Sequence, residues 1–320
     1  MLTLVIPVYR NEGSIHELLA AINKLNQDMS DTLEAVFVID GSPDRCYEIL
    51  HDALPAQSYS SQLILLSRNF GSFAAIRVGL AAGNGENFAV MAADLQEPPE
   101  LVIRMNNLLL EGDADIVVAV REGRNDPLMT RLPAAMFWGL YRRFVVPEMP
   151  PGGVDIFACN LAFRNQLLQL DEQHSSLIAQ IFWLGFRRKF IGYERQKRRH
   201  GKSAWTLHKK INYLMDSVFS FTDLPIRLLI RIGAAATLIS GLFGLIVALA
   251  RALGYIDVPG YAAIIVTIIF FGALNLLGLG IVGDYAWRAY ENTKGRPLAV
   301  ELRAERFGTQ EPLSKKAGLN

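Results

Sequence analysis

Two apolar runs near the end of the chain place the strongest constraint on how it can fold. The first, 232–250, carries no charge, and the second, 261–282, carries Asn275 as its one strongly polar side chain. Crossing the hydrocarbon core of a bilayer takes roughly 20 residues of α-helix, and both runs reach that length. We therefore expect two helices embedded in a lipid bilayer, at about 230–252 and 260–284, within an anchoring region of about 225–286.

Basic residues flank this region on both sides, whereas the short link at 251–260 carries one arginine and one aspartate. The flanking residues are Lys209, Lys210, Arg227 and Arg231 before the first run and Arg288, Lys294 and Arg296 after the second. Because lysine and arginine favour the cytoplasmic side, we expect a hairpin with both chain ends in the cytoplasm and a cytoplasmic tail at 287–320. The paired helices also offer a surface for a homo-oligomer.

The segment before the first run, about 205–224, has the spacing of an amphipathic helix. Leucine, isoleucine, methionine, valine and phenylalanine recur at helical intervals beside Lys209 and Lys210. This pattern is typical of a juxtamembrane helix at the bilayer surface. An ordinary amphipathic helix packed on a globular domain would have the same pattern, so both interpretations stay open.

Overall composition excludes several classes of protein. The 32 basic and 31 acidic residues nearly balance, which argues against a nucleic-acid-binding protein. The two cysteines, Cys46 and Cys159, lack a CxxC or zinc-type spacing and so fit a reducing cytoplasmic setting. The first apolar run covers only about seven residues, too short for the core of a signal peptide, and predicts a buried strand instead.

The first part of the chain, about 1–204, alternates strand-like and helical segments. LTLVIPVY, LEAVFVID, QLILLSR and NFAVMAAD read as strands, separated by helical stretches such as IHELLAAINKL and AAIRVGLAAG. This rhythm predicts an α/β fold with a parallel-rich sheet. Ligands collect at the carboxyl ends of such strands, where PVYRNE, DGSPD, SRNFG and ADLQEPPE all fall.

The motifs at these strand ends exclude two common nucleotide-binding classes. The turn after the first strand reads PVYRNEGS and lacks GxGxxG, and no GxxxxGK[ST] loop occurs in the chain. A Rossmann dehydrogenase and a P-loop ATPase are therefore unsupported. The strand ends instead offer the carboxylates of Glu12, Asp40 and Asp94, with Arg68 and Arg131 near them in the chain.

Four motifs in order, VIPVYRNE, DGSPD, ADLQEPPE and YERQKRRHGKSAW, resemble glycosyltransferase family 2. Within it they are similar to the polyprenyl-phosphate glycosyltransferases of the dolichyl-phosphate mannose synthase type. The likeness runs from about Leu2 to Pro297. It implies a GT-A type nucleotide-sugar-binding domain, bound Mg²⁺ or Mn²⁺, and inverting transfer of a hexose from a UDP- or GDP-sugar to a polyprenyl phosphate at the cytoplasmic membrane face.

The resemblance also implies which residues bind the donor. Pro7, Tyr9 and Glu12 match the segment that lines the nucleotide pocket, Asp40 matches the acid that contacts base or ribose, and Arg68 joins them as a donor contact. The family often has two acids before the GS pair, and here the first is replaced by isoleucine at position 39. Asp40 with the following Gly-Ser would also serve as a simple turn or helix cap.

Asp94 and Gln96 match the metal-binding run of the family, in which Ala92 replaces the first acid. One carboxylate and one amide oxygen hold Mg²⁺ or Mn²⁺ only with ligands from the diphosphate and water, so we expect weaker metal binding than at a two-acid site. In the alternative interpretation, DLQEPPE merely begins a helix with prolines in its first turn.

Asp155 matches an acid that faces the acceptor and is, with Asp94, a candidate catalytic residue. A phosphate monoester is largely ionised at neutral pH, so Asp155 would orient groups rather than remove a proton. Arg198 and Ser203 match the family's RxxGxS element and, with Arg131, are the expected acceptor-phosphate contacts. A helix cap at Asp155 and a solvated basic face remain the structural alternatives.

Other classes of protein share parts of this pattern. The alanine at position 92 favours a catalytically weakened, membrane-tethered pseudoenzyme that still binds nucleotide-sugar. A transferase acting on a different lipid or polysaccharide acceptor is a further alternative. A processive polysaccharide synthase would carry a QxxRW-type motif and more spans than the two in this chain.

Overall fold

The protein is described by a computed structural model that covers residues 1–30, 32–121, 139, 141–143, 146–150, 153–154, 156–196, 207–254 and 261–308. Its internal contacts divide the chain into two compact units. The sheet unit comprises residues 1–172, 176–209 and 297–320, and the helical unit comprises 173–175 and 210–296.

The sheet unit contains eight strands and six helices within the described residues. The strands are β1 (Leu2–Val8), β2 (Leu33–Ile39), β3 (Ser60–Leu66), β4 (Asn87–Val90), β5 (Ile116–Arg121), β6 (Phe157–Asn160), β7 (Arg188–Tyr193) and β8 (Glu301–Phe307). The helices are α1 (Ile15–Asp28), α2 (Cys46–Ala53), α3 (Ser72–Ala82), α4 (Glu100–Leu110), α5 (Leu161–Leu168) and α6 (Leu177–Trp183). These elements confirm the alternation of strands and helices expected from the sequence.

All eight strands form one sheet in the order β7-β5-β6-β4-β1-β2-β3-β8. β1 pairs in parallel with both β2 and β4, β2 pairs in parallel with β3, and β5 pairs in parallel with β7. Only β6 and β8 run antiparallel to their neighbours. The parallel-rich α/β fold predicted from the sequence is therefore confirmed.

The central strands are mostly apolar because both faces of the sheet are covered by helices, and the buried Glu34 of β2 accepts hydrogen bonds from Thr3 and Gln62. Every residue of β2 is buried, and in β1 only Pro7 is partly exposed. Continuous apolar runs are typical of such doubly covered strands. On one face α3 approaches β1 so closely that a Cβ at Gly79 would lie 2.3 Å from Val5 Cγ1. A glycine at this position is therefore what allows helix and sheet to meet.

The edge strand β8 comes from the tail of the chain, for which the sequence analysis predicts no strand. It pairs antiparallel with β3, from Glu301 opposite Leu66 to Phe307 opposite Ser61. Tyr47 of α2 donates a hydrogen bond to Glu305 at 2.7 Å and stacks on His51, whose ring meets the Phe307 ring edge-on. The tail thus completes the sheet on the side opposite β7.

The helical unit contains the two long helices α8 (Leu224–Ala252) and α9 (Tyr261–Thr293), preceded by α7 (Leu207–Phe221). By length and composition, Leu224–Ile246 and Phe270–Thr293 are each able to cross a membrane, and neither is buried. Both helices extend beyond the apolar runs. Near the end of α9, Arg288 pairs with Asp284 at 2.8 Å and with Asp216 of α7 at 3.1 Å, so charged residues there are neutralised within the unit.

Candidate active site

The polar motifs converge at the carboxyl edge of the parallel strands. β4, β1, β2 and β3 are consecutive in the sheet, and Asp94, Glu12, Asp40 and Arg68 each follow one of them. Parallel neighbours end at the same edge, so the topology brings these loops side by side. This arrangement is the one that the motif order in the sequence predicts.

Pro7 is tolerated inside β1 because β4 pairs only with the first half of that strand. The β1–β4 pairing ends at Val5 opposite Val90, whereas the β1–β2 pairing continues to Val8 opposite Ile39. A proline, which has no N–H to donate, fits where a neighbouring strand is missing. Pro7 is half-buried at this opening between β1 and the end of β4.

The loops after β1 and β2 are joined by hydrogen bonds. The backbone N–H of Arg10 donates to Ser42 Oγ at 2.8 Å, and the N–H of Glu12 donates to Asp44 Oδ2 at 3.2 Å. In return, Arg45 N–H donates to the exposed Glu12 carboxylate at 3.3 Å. Glu12 therefore helps to fix the two loops, and its nucleotide contact stays a prediction.

Cys46 lies beneath these loops without offering a nucleophile. Its sulfur accepts the N–H of Asn11 at 3.3 Å, and the residue is completely buried. Burial, reinforced by the neighbouring Asp44, raises the pKa of the Cys46 thiol to about 12. The raised pKa favours the neutral thiol form of Cys46, a poor nucleophile.

Asp40 holds the loop after β3. Only 3% of the residue is exposed, and its two carboxylate oxygens accept the N–H groups of Phe70 at 2.7 Å and Gly71 at 2.9 Å. Gly41 next to it has φ +57°, and a Cβ there would lie 2.3 Å from the carbonyl carbon of Arg68. The geometry accounts for Asp40 as a residue that fixes the loop after β3, while its contact with a base or ribose stays a prediction.

Tyr9 and Arg68 line the same edge. Arg68 is exposed, with its guanidinium 4.1 Å from the centre of the Phe70 ring, and Tyr9 is half-buried with Arg10 5.4 Å from its ring centre. Exposed cations and half-buried rings are suited to a diphosphate and a flat base, respectively. Contacts of Tyr9 and Arg68 with a ligand stay predictions.

The loop after β4 forms a tight turn around the proposed metal-binding pair. Leu95, between Asp94 and Gln96, has φ +53°, a conformation that non-glycine residues rarely adopt. The turn is closed by a hydrogen bond from the Gln96 N–H to Asp94 Oδ1 at 3.3 Å. Ser14 at the start of α1 donates to the carbonyl of Ala93 at 3.0 Å and anchors the turn to the sheet edge.

Arg195, just after β7, joins this turn and was not assigned to it from the sequence. Its Nη2 donates to Gln96 Oε1 at 2.8 Å, and its Nε lies 3.7 Å from the carboxylate of Glu97, a residue only 2% exposed. The sequence placed Arg195 in the basic run before the membrane region. No local pattern distinguishes it from the other basic residues of that run, because the contact spans about a hundred positions.

Four of the expected site residues, Arg131, Asp155, Arg198 and Ser203, lie outside the described residues. Their assigned roles at the acceptor therefore stay predictions. The remaining seven are Pro7, Tyr9, Glu12, Asp40, Arg68, Asp94 and Gln96, and all of them lie in or directly after β1 to β4.

The donor set for a metal is small. Within the described part of the chain, no group of three or more His, Cys, Asp or Glu side chains is placed to hold an ion. Asp94 and Gln96 supply one carboxylate and one amide oxygen on a single turn, and oxygen ligands of this kind suit Mg²⁺ and Mn²⁺. The pair fits a cation that takes its other ligands from a diphosphate and water.

The mixed, parallel-rich sheet with helices on both faces and polar loops at its carboxyl edge has the GT-A-like architecture expected from the motifs. The sequence profile of glycosyl transferase family 2 matches residues 3–191, more than half of the chain, and the protein belongs to that family. The family membership and the enzyme class expected from the motifs are confirmed. Members of this family commonly use divalent metals.

Similar proteins extend over almost the whole chain. An uncharacterized glycosyltransferase of Synechocystis (sll0501) is 32% identical over 93% of this chain and 93% of its own. The undecaprenyl-phosphate 4-deoxy-4-formamido-L-arabinose transferase of Pseudomonas paraeruginosa is 30% identical over 93% of this chain and 88% of its own. Among solved structures, glucosyl-3-phosphoglycerate synthase of Mycobacterium tuberculosis is 19% identical, with a TM-score of 0.44 over 68% of this chain and 78% of that one.

Proposed function

We propose that the protein transfers a hexose from a nucleotide-sugar to a polyprenyl phosphate, with inversion, at the cytoplasmic face of a membrane. One observation carries this proposal. The same chain contains a glycosyl transferase family 2 sheet with a polar carboxyl edge and two exposed apolar helices. A water-soluble donor and a lipid-embedded acceptor require both features. The name of the Pseudomonas relative, which matches along both units, supports the same acceptor class.

The donor binds across the loops after β1 to β4. Pro7, Tyr9 and Glu12 line the nucleotide pocket beside Asp40, and Arg68 contacts the diphosphate. Asp94 and Gln96 hold Mg²⁺ or Mn²⁺, and when bound the cation neutralises charge that develops on the leaving diphosphate. The half-buried position of Asp94 on a closed turn supports this role.

The acceptor phosphate needs no base to become a nucleophile. Because its second pKa is near 6, one of its oxygens is already ionised at neutral pH and attacks the anomeric carbon as the diphosphate leaves. Attack from the side opposite the leaving group inverts the anomeric centre. Asp155 orients the reacting groups, while Arg131, Arg198 and Ser203 bind the phosphate through charge-assisted hydrogen bonds.

The return of the chain to the sheet supports a hairpin in the membrane. β7 precedes the two apolar helices, β8 follows them, and both strands belong to the same sheet. A single folded sheet lies on one side of a bilayer, so the intervening helices must cross an even number of times. With the basic flanks, this argues for a cytoplasmic sheet unit.

The decisive experiment uses the purified full-length protein in vesicles that contain undecaprenyl or dolichyl phosphate. Labelled UDP- and GDP-hexoses are added with Mg²⁺ or Mn²⁺, and label entering the organic phase is followed. We expect lipid-dependent incorporation from one donor class, with the product anomer inverted relative to the donor. Free sugar alone, or no reaction with any donor, would contradict the proposal.

Membrane orientation is tested separately by cysteine labelling. A cysteine introduced at Asp257 in the link and another at Asn320 in the tail are expected to react from opposite sides of sealed vesicles. Cys46 and Cys159 are both buried and supply little background. Labelling of position 257 from the cytoplasmic side would refute the hairpin.

A membrane-tethered binding protein without turnover is the second candidate, favoured by the alanine at position 92. It predicts metal-dependent nucleotide-sugar binding without transfer or hydrolysis. The same vesicle assay distinguishes the two functions, provided that donor binding is measured in parallel by calorimetry.

A further inference from the structure

Two segments far apart in the sequence are clamped together at the carboxyl edge of the sheet. The loop after β4 and the chain after β7 share a backbone hydrogen bond from Gln196 N–H to the Gln96 carbonyl at 2.8 Å. The Gln96 side-chain amide donates back to the Gln196 carbonyl at 3.3 Å. Arg195 adds its contacts to Gln96 Oε1 at 2.8 Å and to Glu97 at 3.7 Å.

Gln96 is therefore held through its backbone carbonyl and through both ends of its side-chain amide. Its own N–H in turn fixes the carboxylate of Asp94, and the residue between them, Leu95, has φ +53°. A turn in a sparsely populated conformation persists when surrounding contacts determine it. Contacts from the chain after β7 supply that determination from outside the loop.

The chemistry of arginine suits this position. Its planar guanidinium holds several nitrogens in a fixed fork, so one side chain donates a hydrogen bond from Nη2 to the Gln96 amide oxygen and places Nε at ion-pair distance, 3.7 Å, from the buried Glu97 carboxylate. An amide oxygen has two lone pairs, and occupation of one by Arg195 leaves the other direction for a further ligand. The hydrogen bond from Arg195 therefore fixes the direction in which the second lone pair of Gln96 Oε1 points.

We propose that Arg195 is a positioning residue for the donor site. It sets the orientation of the Gln96 amide and, through the turn, of the Asp94 carboxylate toward a divalent cation bound with a nucleoside diphosphate. The identity of this ligand rests on the proposed function. In the alternative, Arg195 only neutralises the charge of the buried Glu97 carboxylate. The variants below separate the two roles.

The key comparison is Arg195→Met against the double variant Arg195→Met with Glu97→Gln. If Arg195 only compensates the buried charge, removing both charges restores the native properties. If Arg195 positions Gln96, the double variant stays as impaired as the single one. Arg195→Lys keeps the charge but loses the fork, and Lys189→Met is a control that removes a partly exposed cation of β7 paired with Glu111 at 3.1 Å.

The first readout needs no ligand. Hydrogen exchange of the full-length protein, followed in peptides that cover residues 92–99, is expected to be at least about tenfold faster in both Arg195→Met variants than in the native protein. The control variant is expected to match the native protein. The second readout is Mn²⁺ binding in the presence of UDP or GDP, followed by electron paramagnetic resonance, with an apparent Kd raised by about 10–100-fold, as for other residues that orient metal ligands.

Kinetics add a third distinction. We expect the metal concentration for half-maximal transfer to rise while the KM for the lipid acceptor stays unchanged. Native exchange in Arg195→Met, or recovery of Mn²⁺ affinity in the double variant, would overturn the proposal. If the native protein transfers no sugar but the exchange result holds, the proposed function fails while Arg195 keeps its positioning role.

Discussion

Leucine side chains have opposite surroundings in the two units of this protein. In the sheet unit Leu4 and Leu18 are completely buried, whereas in the helical unit Leu238 is 75% exposed and Leu276 is 71% exposed. Burying a leucine side chain is worth about 1.5–3 kcal/mol, so rows of exposed leucines are costly in water. The comparison teaches that the sheet unit buries its leucines in its own core, whereas the exposed leucines of the helical unit suit the bilayer that the proposed function requires.

Charged side chains are also distributed differently in the two units. The sheet unit exposes carboxylates and arginines at one edge, where the loops after β1 to β4 meet. Most residues along α8 and α9 are apolar, so charged side chains do not cluster along those stretches. The proposed function assigns donor chemistry to the sheet unit and membrane attachment to the helical unit, a separation that the following variants either break or sharpen.

The largest effect is expected from Asp94→Ala. Loss of the one carboxylate in the proposed metal-binding turn removes charge stabilisation at the diphosphate, and we expect transfer to fall by about 10²–10³-fold. Sedimentation with membranes is expected to remain native, because the helical unit is unchanged. The control is Asp113→Ala at an exposed acid of the sheet unit. Native transfer by Asp94→Ala would remove donor chemistry from this edge.

The comparison of leucines can be tested directly with Leu4→Ala and Leu238→Ala. At the buried position we expect a loss of about 2–5 kcal/mol in the free energy of unfolding, because the substitution leaves a cavity in the core. At the exposed position the change is expected within about 0.5 kcal/mol. Denaturant unfolding of the detergent-solubilised protein measures both. Equal losses would mean that Leu238 is packed against protein.

A smaller effect is expected where the tail strand attaches to the sheet unit. Tyr47→Phe keeps the ring beside His51 but removes the hydrogen bond to Glu305 in β8, at a cost of about 1 kcal/mol. A double-mutant cycle with Glu305→Ala, which removes the acceptor, isolates the pairwise contribution, again from denaturant unfolding. A coupling energy of zero would mean that this hydrogen bond adds nothing to the attachment of β8.

The smallest effect concerns pH. Hydrogen bonds from Arg187, outweighing partial burial, lower the pKa of Asp115 below its ordinary value of about 3.9. A lowered pKa contributes stability above the unfolded value, and the contribution is lost as pH falls through the folded value. Asp115→Asn is therefore expected to flatten the decline of the thermal midpoint below about pH 4. A native slope in Asp115→Asn would contradict the assignment.

Much of the sheet unit was predictable because its signals are local. Alternating apolar and helical runs predicted β1 to β4 with α1 to α3, and the strand-end motifs predicted which loops would share an edge. The tail strand β8 was missed, since ELRAERF is charged and exposed and acquires its pairing only from β3, more than two hundred residues earlier.

The site shows the same limit at single residues. Asp94 and Gln96 were identified from their motif, but the bond from Arg195 to Gln96 depends on the loop after β4 meeting the chain after β7. Asp40 was expected to contact the donor, and the structure adds that both its carboxylate oxygens accept N–H groups from the loop after β3. Such contacts follow from strand order, which no single segment encodes.

The sequence by itself determined the fold class, the family and the two apolar helices, because periodicity, run length and strand-end motifs are properties of short segments. The tertiary structure decided which distant segments become neighbours: β8 beside β3, Arg195 beside Gln96 and Asp40 beneath the loop of Phe70 and Gly71. The physical reason is that a hydrogen bond or ion pair acts over a few ångströms, and only the packed sheet brings residues separated by 30 to 258 positions within that distance.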